Sequence, residues 1–458
     1  MFSRDVLKAI ERIVGPEDIL LADEDRVCYS YDANASGEVP AVVTFPKETA
    51  EVAELLRLAN RVPFAVFPRG AGTGMTGGAI PTAEGMVMAF TKMKAIKEIS
   101  QEDSIAVVEP GVINYELQKA AERYGLFFPP DPASYMYSTI GGNVAECAGG
   151  PRAVKYGVTR DYVLGLEVVL PTGEVIRTGG RTMKGVVGYD LTRLFVGSEG
   201  TLGVITEITL KLLPLPEARG TLLALFDSMR EATRAVTAIF KAGILPSALE
   251  FMDEPSLKCA ISFLGAKMPE AKALLLVEVD GVMSSLGEMV ERAAAACLEM
   301  GAKEVRRASS AREAEEIWQV RRCLSQASYA LGPVKVNEDV TVPRSKIPEL
   351  VEGVHAIGKR LKIPVLCFGH AGDGNIHVNF MIGPSPEERK RAEEAVKELF
   401  SLTLSLRGTL SGEHGVGTTK LPFVEEELSA EVIEVMKRMK RALDPRGILN
   451  PGKLLPGL

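Results

Sequence analysis

The segment Pro68–Gly78, PRGAGTGMTGG, contains five glycines and directly follows the apolar run FAVF. Such glycine density lets backbone N–H groups approach a bound anion closely, as a diphosphate requires. Gly72-x-Gly74-x-x-Gly77 matches the spacing of a Rossmann loop, but a Rossmann loop must open a helix. The continuation AIPTAEGMV carries a proline and a glycine that break a helix. The segment therefore predicts a phosphate-binding loop of another kind, and a glycine-rich surface loop is the alternative.

Two further glycine clusters follow in the same part of the chain. The first is STIGGNVAECAGGPRAVKYGVTRDYV, residues 138–163, and the second is VGSEGTLGVIT, residues 196–206. Each cluster alone indicates only turns. Three of them in one region predict a long dinucleotide bound across it.

The order of strand-like and helix-like segments predicts an α+β protein with four parts. Residues 1–37 are expected to form short helices, and 38–216 a first domain rich in β-branched residues, glycine and proline. The pattern changes at Pro214–Pro216. Residues 217–425 are expected to form a second domain, with an antiparallel sheet covered by helices. Residues 426–458 are expected to form a terminal helix and tail that return to the first domain.

Composition excludes several classes of protein. The 458 residues carry a net charge of −7, without a long basic run, so nucleic-acid binding is not expected. The N-terminal segment MFSRDVLKAIERIVG is interrupted by charges and is not a signal peptide. No apolar run reaches the roughly 20 residues that span a bilayer. We expect a cytoplasmic protein, membrane-associated at most through a partner, and an oligomer.

The six cysteines form no CxxC pair. Iron–sulfur clusters and cysteine-type zinc sites are therefore not expected. In a chain without an export signal they are interpreted as reduced thiols.

Three of the four histidines lie in two glycine-rich motifs, and the first motif is PVLCFGHAGDGNIHVNF. Asp373-Gly374 between strand-like runs is a strong signal for a two-residue hairpin turn. Pairing outward from that turn sets His370 directly opposite His377, with Asn379 on the same sheet face. Paired residues have Cβ atoms about 5 Å apart, so the two imidazoles could share one metal ion. The alternative is that these histidines cap turns or bond within the sheet.

The second motif is SGEHGVG, residues 411–417, which contains Glu413 and His414. Two imidazoles and one carboxylate form a ligand set suited to Zn²⁺, and also to Mn²⁺ or Fe²⁺. Three protein ligands leave coordination positions open for a substrate. The remaining histidine, His355, lies on the helix-like run PELVEGVHAIGKRLK, and a structural role is expected for it.

The motifs PRGAGTG, PPDPAS, TIGGNVAECAGG, KYG and GSEGTLGVIT resemble, in order and spacing, the FAD-binding domain of the vanillyl-alcohol-oxidase superfamily. The resemblance implies an FAD-binding domain of that type. It also implies that FAD contacts Pro68, Arg69, Gly70, Ala71, Gly72, Thr73, Gly74, Pro130, Asp131, Ser134, Thr139, Gly141, Gly142, Asn143, Gly149, Tyr156, Glu199, Gly203 and Ile205. Some members attach FAD to a histidine of this domain, which has none here. We expect non-covalent FAD, with Cys147 the remaining candidate for a covalent bond.

HAGDGNIHVN, SGEHGVG and DPRGILNPGK resemble the branch of this superfamily that comprises glycolate, D-lactate and D-2-hydroxyglutarate dehydrogenases. This resemblance implies that His370, His377 and Glu413 bind the metal ion. It assigns His414 as the catalytic base and sets Asn450 close to the flavin.

Trp318-x-x-Arg321 matches the same branch, and Arg321 and Ser325 lie four residues apart on one face of a predicted helix. A guanidinium binds a substrate carboxylate with two hydrogen bonds. A surface salt bridge is the alternative for Arg321. Relatives that take larger diacids carry a lysine where this chain has Asn337, whereas Lys335 lies two residues earlier. We therefore expect a small monocarboxylic substrate, contacted by Arg321, Ser325, Lys335 and Asn379.

The expected function is oxidation of a small D-2-hydroxy acid, glycolate or D-lactate, to the 2-oxo acid. Electrons would pass to a separate acceptor, which could be an iron–sulfur subunit, an electron-transfer flavoprotein or a quinone-linked protein. Three alternatives are a non-redox transferase of the ether-lipid synthase type, a non-catalytic flavin subunit and a Rossmann-type NAD enzyme. The first carries a histidine-rich stretch where this chain has SGEHGVG, the second would be expected to lose the metal and base motifs, and the third needs a helix after the glycines.

Overall fold

The computed structural model describes residues 2–457, which form two compact units. The first unit comprises the chain up to Gly149, Val158–Leu215 and the chain from Glu413 onward. The second comprises Gly150–Gly157 and Pro216–Gly412. The segment 413–417 therefore groups with the first unit, whereas the predicted second domain, 217–425, includes it.

The first unit contains a four-stranded mixed sheet, a five-stranded antiparallel sheet and a two-stranded ribbon. Its strands are β1 (Ile19–Leu20), β2 (Val42–Thr44), β3 (Ala65–Arg69), β4 (Gly85–Ala89), β5 (Ile96–Ser100), β6 (Ile105–Val108), β7 (Leu126–Phe127), β8 (Val163–Val169), β9 (Val175–Gly179), β10 (Val204–Lys211) and β11 (Leu213–Pro214). The strand orders are β1-β2-β4-β3, β5-β6-β10-β8-β9 and β11-β7.

The helices of the first unit cover the four-stranded sheet and carry the loops between the sheets. With helices numbered along the whole chain, they are α1 (Arg4–Val14), α2 (Asp23–Arg26), α3 (Thr49–Arg61), α4 (Asn114–Glu122), α5 (Ile140–Glu146), α7 (Leu191–Phe195), α15 (Val424–Glu427) and α16 (Ala430–Leu443). Apolar residues of α1 and α3 pack on one face of the sheet around Val66, Met86 and Met88, which are fully buried. The segment 70–84, between β3 and β4, contains no helix, as its sequence predicts.

The C-terminal segment extends the four-stranded sheet. Leu449 forms a parallel bridge with Val66 of β3, whose amide donates to the Ile448 carbonyl at 2.8 Å. The amide of Asn450 in turn donates to the Val66 carbonyl at 2.9 Å. Chain residues more than 380 positions apart therefore share one sheet edge.

The second unit is built on one antiparallel sheet of seven strands in the order β15-β12-β14-β13-β17-β18-β16. The strands are β12 (Ala218–Phe226), β13 (Ala248–Asp253), β14 (Ala273–Gly281), β15 (Glu304–Arg307), β16 (Val334–Thr341), β17 (Val365–His370) and β18 (Asn375–Ile382). The helices are α6 (Ala153–Tyr156), α8 (Met229–Lys241), α9 (Glu254–Leu264), α10 (Met283–Glu299), α11 (Ala311–Arg322), α12 (Leu324–Ala327), α13 (Ile347–Leu361) and α14 (Pro386–Ser405). The predicted antiparallel sheet with helices is confirmed. Among residues 2–457, no helix is both long and apolar enough to cross a bilayer.

One face of this sheet carries both an apolar core and a row of polar side chains. Helices α9, α11 and α12 pack on its apolar part, around Leu223, Leu276 and Phe368. Because paired residues share a face, the register also brings Glu250, His370 and residues 375, 377 and 379 to this side. Buried polar groups of this kind need partners, and they mark the place where a site can form.

His355 lies on α13 and contacts a buried carboxylate. Its Nε2 lies 2.9 Å from Oδ2 of Asp253, whose other oxygen caps α9 by accepting from the Ser256 amide at 2.9 Å. Burial lowers the pKa of His355, but the hydrogen bond and charge of Asp253 outweigh it and raise that pKa above the usual value. The structural role expected for His355 agrees with this geometry.

We predict that His355→Gln destabilises the protein in a pH-dependent manner. Stabilisation by the charged pair is complete below the unfolded pKa of about 6.5 and is lost as pH rises through the higher folded pKa. The variant should lower Tm by about 1–2 °C near pH 6 and by less near pH 9. Calorimetry at both pH values checks this, and an equal loss at both would contradict the ion pair.

Candidate functional site

A groove in the first unit lies where the parallel strands β3 and β4 end. Ligands of sheet proteins bind preferentially at the carboxyl ends of parallel strands. Nine of the residues predicted to contact the cofactor line it: Pro68, Arg69, Gly70, Thr139, Gly141, Gly142, Glu199, Gly203 and Ile205. Its lining also includes residues that sequence reasoning did not select: Gly78, Ala79, Phe90, Pro110, Ala145, Glu146, Ser198, Gly200 and Val204.

Glycine is required at Gly70 of the groove lining for reasons of space, and at Gly72, just outside the lining, for reasons of backbone conformation. A Cβ on Gly70 would lie 2.3 Å from Oγ1 of Thr139, which itself caps α5 by accepting from the Gly142 amide at 3.2 Å. Gly72 has φ +69°, a conformation that L side chains rarely adopt. The groove is thus a cradle of exposed backbone, which fits the diphosphate and ring edges of a dinucleotide.

The other predicted cofactor residues lie outside the lining of the groove. They are Ala71, Gly72, Thr73, Gly74, Pro130, Asp131, Ser134, Asn143, Gly149, Tyr156 and Asn450. Tyr156 belongs to the second unit, where its hydroxyl donates to Oδ2 of Asp280 at 2.8 Å. Burial and the neighbouring Asp280 raise the pKa of Tyr156.

Asn450 and Arg69 hold the loops of the groove together. The Asn450 side-chain amide donates to the carbonyls of Gly78 at 2.9 Å and Glu199 at 2.6 Å. The Arg69 guanidinium donates to the Tyr31 carbonyl at 2.7 Å. These bonds give both residues a structural function at the groove itself.

The SGEHGVG motif, which contains the predicted base His414, is hydrogen-bonded to the same loops. Oγ1 of Thr76 donates to the His414 carbonyl at 2.9 Å. The carboxylate of Glu199 accepts from the amides of Val416 at 2.7 Å and Gly417 at 2.8 Å. Within the first unit, the backbone of the SGEHGVG motif is therefore positioned by residues next to the groove.

Cys147 is half-buried at the end of α5. Burial raises the pKa of its thiol, so the nucleophilic thiolate is scarce at neutral pH. This thiol is poorly suited to form a covalent bond to a flavin, in agreement with the expectation of non-covalent FAD.

In the second unit, the predicted histidine hairpin exists but its register is different. His370 pairs with Asn375 and Phe368 pairs with His377, so the prediction that His370 and His377 are directly opposite is wrong. They are diagonal neighbours on one sheet face. Their ring centroids are 5.3 Å apart at an angle of 87°, and each offers a ring nitrogen within 4.8 Å of the other.

The difference arises because the loop has four residues, 371–374, instead of two. The His370 carbonyl accepts from the Gly374 amide at 2.9 Å, and the Asp373 carboxylate accepts from the Asn375 amide at 3.1 Å. This turn offsets the pairing by two residues. Side chains alternate with a period of two, so an even offset keeps both imidazoles on the predicted face.

Glu250 of β13 joins this histidine pair to Arg321, and sequence reasoning missed it. Its carboxylate lies 2.5 Å from Nδ1 of His370 and accepts from Nε of Arg321 at 2.7 Å. Burial disfavours the ionised form, but the charges of His370 and Arg321 keep the pKa of Glu250 below its usual range. A charged residue inside the apolar run ALEFMD is the signal that could have revealed it.

Arg321 is largely buried in the second unit, and it forms a salt bridge, as the alternative supposed, but with the buried Glu250 instead of a surface residue. Its guanidinium stacks on Phe368 at 4.6 Å from the ring centroid, and its side chain is 13% exposed. Within residues 2–457, the Arg321 side chain makes no hydrogen bond other than that to Glu250. Its remaining N–H groups can therefore bind an anion that enters beside the sheet.

Of the other predicted substrate residues, Lys335 lies on β16, Asn379 lies on β18 and Ser325 lies on α12. Nζ of Lys335 donates to Oγ of Ser325 at 2.8 Å. The side chain of Asn337 donates to Asn379 at 2.8 Å, and these two residues are paired in the register. Lys335 thus contacts α12, and Asn337 and Asn379 form a separate pair on β16 and β18.

Glu413 follows directly on a segment that is fixed to β16. The amide of Gly412 donates to Oδ2 of Asp339 at 2.9 Å, and Asp339 pairs with His377. Within the first unit, Glu413 packs on Gly149, where a Cβ would lie 2.7 Å from its Oε2. His414 is half-buried, with Nε2 3.9 Å from Oε1 of Glu413.

Asp253, His355 and Cys367 form a second group of possible metal ligands. Both carboxylate oxygens of Asp253 are already engaged, since Oδ2 also accepts from the Cys367 amide at 2.7 Å. Burial raises the pKa of the Cys367 thiol well above its usual value. We assign these residues a structural role.

Known proteins are similar to this chain over nearly its whole length. Residues 40–179 match the FAD binding domain model, and residues 215–454 match the model of the FAD linked oxidases, C-terminal domain. Glycolate oxidase subunit GlcD of Bacillus subtilis (strain 168) is 44% identical over 457 residues, which cover 99% of this chain and 97% of that protein. D-lactate dehydrogenase of Anaerostipes hadrus is 36% identical over 453 residues, which cover 96% and 95%.

The fold also resembles that of p-cresol methylhydroxylase in its substrate-bound crystal structure. The TM-score is 0.81 at 16% identity, over 98% of this chain and 96% of that one, which supports a likeness of fold. The predicted family and the predicted fold type are thereby confirmed. The chain is an FAD-dependent oxidoreductase, and it belongs to the family of FAD-linked oxidases.

Proposed function

We propose that this protein oxidises a small D-2-hydroxy acid, glycolate or D-lactate, to the corresponding 2-oxo acid. The observation that carries the proposal is the buried Glu250 carboxylate, which bonds both His370 and Arg321. Glu250 thus bridges an imidazole that is suited to bind a metal ion and a guanidinium that is suited to bind a carboxylate. A hydroxyl group next to a carboxylate is the substrate that such a pair recognises. The printed names of the relatives support this substrate class.

The groove of the first unit fits FAD because its glycine floor leaves backbone groups exposed to a diphosphate. When bound, FAD supplies the acceptor for the hydride that leaves the α-carbon. The role of the protein is to hold the substrate in one orientation and to receive the hydroxyl proton.

The donor set of the second unit fits a divalent cation. Glu250 occupies Nδ1 of His370, which turns Nε2 toward a ligand, and such carboxylate–histidine pairs are typical behind metal ions. We propose His370, His377 and Glu413 as the ligands, with zinc the expected ion and manganese or iron the alternatives. When bound, the cation would lower the pKa of the substrate hydroxyl.

Arg321 is proposed to hold the substrate carboxylate, with Ser325, Lys335 and Asn379 around it. Oxidation of the alcohol releases a hydroxyl proton, and His414 is proposed to accept that proton as general base. Thr76, which lies beside the groove, donates a hydrogen bond to the His414 carbonyl, and this contact supports a position of His414 close to the cofactor loops.

We further propose that the electrons pass to a separate acceptor protein of one of three classes: an iron–sulfur subunit, an electron-transfer flavoprotein or a quinone-linked protein. The glycolate oxidase relative is named as a subunit, which supports a complex.

Replacing Arg321 by lysine should raise KM for the hydroxy acid roughly 10- to 100-fold, because lysine cannot form the two-pronged bond to a carboxylate. Steady-state kinetics with an artificial electron acceptor measures this. Arg322→Lys is the matched control, since Arg322 is the next residue and is half-exposed. An unchanged KM in Arg321→Lys would remove Arg321 from substrate binding.

His414→Ala should slow flavin reduction by at least about 100-fold while FAD stays bound, because the proton acceptor is lost. Anaerobic mixing with D- and L-hydroxy acids, followed by flavin absorbance, gives both the rate and the substrate preference. His355→Gln serves as the histidine control and should reduce at the native rate. Native-rate reduction in His414→Ala would exclude it as the base, and no reduction by any 2-hydroxy acid in the native protein would refute the proposed activity.

Glu250→Gln should weaken metal binding about 10- to 100-fold, because the ring of His370 loses its charged partner. Metal content after dialysis against a chelator measures the loss and identifies the native ion. Glu278→Gln is the matched control, since Glu278 is a buried carboxylate on the same sheet face that accepts from Trp318 at 2.9 Å. Equal metal retention in both variants would contradict the proposed ligand set.

A further inference from the structure

Glu146, the last residue of α5, lines the groove and has an unusual environment for a carboxyl group. Its Oε2 is buried and has no hydrogen-bond partner among the residues that the structure describes. A buried carboxylate without donors is costly, whereas a neutral carboxylic acid is far less so. The position therefore favours a protonated side chain.

Two other carboxylates near the groove show the contrast. Asp32 accepts from the backbone amides of Asn34 at 2.9 Å, Ala35 at 2.6 Å and Gly77 at 2.7 Å. Glu199 accepts from two amides of the SGEHGVG segment. Both therefore have backbone donors, whereas Oε2 of Glu146 has none among the described residues.

The nearby cation does not compensate for the missing donors. Nζ of Lys453 donates to the carbonyls of Gly78 at 3.0 Å and Ile80 at 2.6 Å, and to Oδ1 of Asn450 at 3.1 Å. Burial lowers the pKa of Lys453 to about 8. Its hydrogen-bond donors are thus committed to the loop, so Glu146 feels the charge of Lys453 but receives no hydrogen bond from it.

Burial and the adjacent Glu199 raise the pKa of Glu146 well above its usual value. Burial also raises the pKa of Glu199, but the amides of Val416 and Gly417 stabilise its charged form. Of the two carboxyl groups, Glu146 is therefore the one whose surroundings favour the protonated form more strongly.

Glycines close around this carboxyl group. A Cβ on Gly78 would lie 2.4 Å from its Oε1, and a Cβ on Gly415 would lie 2.2 Å from its Oε2. Neither position can carry a side chain that would supply a donor or an acceptor. Glu146 is also one of the residues that line the groove.

We propose that Glu146 meets FAD as a neutral carboxylic acid and donates a hydrogen bond to an acceptor atom of the cofactor. The proposal rests on the location of FAD in this groove and is independent of the substrate oxidised. FAD offers carbonyl, hydroxyl and phosphate oxygens as acceptors. An ionised carboxylate at this position can donate to none of them and repels the carbonyl and phosphate oxygens, whereas a protonated one can donate to each of them.

Two substitutions of Glu146 test whether a neutral hydrogen-bond donor at this position, and not a negative charge, supports FAD binding. Glu146→Gln keeps the shape and an N–H donor without a charge, so FAD should bind within about 3-fold of the native affinity. Glu146→Leu keeps the volume without a donor, and FAD should bind roughly 3- to 10-fold more weakly. Titration of the flavin-free full-length chain with FAD, followed by flavin fluorescence, gives both values. Weaker binding in Glu146→Gln than in Glu146→Leu, or native affinity in Glu146→Leu, would overturn the proposal.

Infrared spectroscopy distinguishes the protonated form of the Glu146 carboxyl group from the ionised form. The flavin-bound native protein at neutral pH should show the carbonyl stretch of a protonated carboxylic acid, and this band should be absent from Glu146→Gln. Identical spectra for the two proteins would overturn the neutral form.

A third variant tests the location of FAD separately. A Cβ on Gly142 meets only Oγ1 of Thr139, at 3.2 Å, so Gly142→Val should fold and obstruct the groove. Its FAD affinity should fall more than 10-fold at an unchanged Tm of the flavin-free chain. Unchanged affinity would refute the groove as the FAD site, and Glu146 with it, whereas loss in Gly142→Val with native affinity in Glu146→Leu refutes the Glu146 proposal alone.

Discussion

The buried carboxylate of Glu250 is the constraint on which the polar face of the second unit depends. It lies on a strand between helix α11 and the histidine hairpin, and it bonds a side chain from each. Removing a charge from water is unfavourable unless it is paired, so this residue forces His370 and Arg321 to stay beside it. The separation of the two groups that would recognise the substrate is thereby set by one side chain of the sheet and does not rely on the loops.

The fold could be predicted to a large extent because its main signals are local. Strand-like runs, glycine clusters and the change of pattern near Pro214–Pro216 indicated two α+β parts and the antiparallel sheet. The hairpin register could not be predicted in the same way, because Asp373-Gly374 is compatible with loops of different lengths. The choice depends on which carbonyl the Gly374 amide finds, and here that is His370. His370 and His377 still lie on the predicted sheet face because the pairing differs from the prediction by an even number of residues.

The candidate site was predicted where residue type alone carries the chemistry, as with the glycines of the groove and the histidine motifs. It was missed where a residue acts through its partners. Glu250 and Glu146 are ordinary glutamates in the sequence, and their roles follow from burial and from the donors around them. Asn450 shows the reverse case, because its side chain ties two loops together instead of merely approaching them. Such relations join residues hundreds of positions apart and have no local signature.

The bridge between Val66 and Leu449 has a consequence for how the polypeptide is made. Strand β3 leaves the ribosome long before Leu449, which lies on the segment that completes its outer edge. During synthesis of everything in between, this edge stays open, and an open strand edge is a template for incorrect pairing. The second unit, whose main segment is continuous from Pro216 to Gly412, can fold first. Synthesis of the first unit thus begins before that of the second, but the first unit is completed after it.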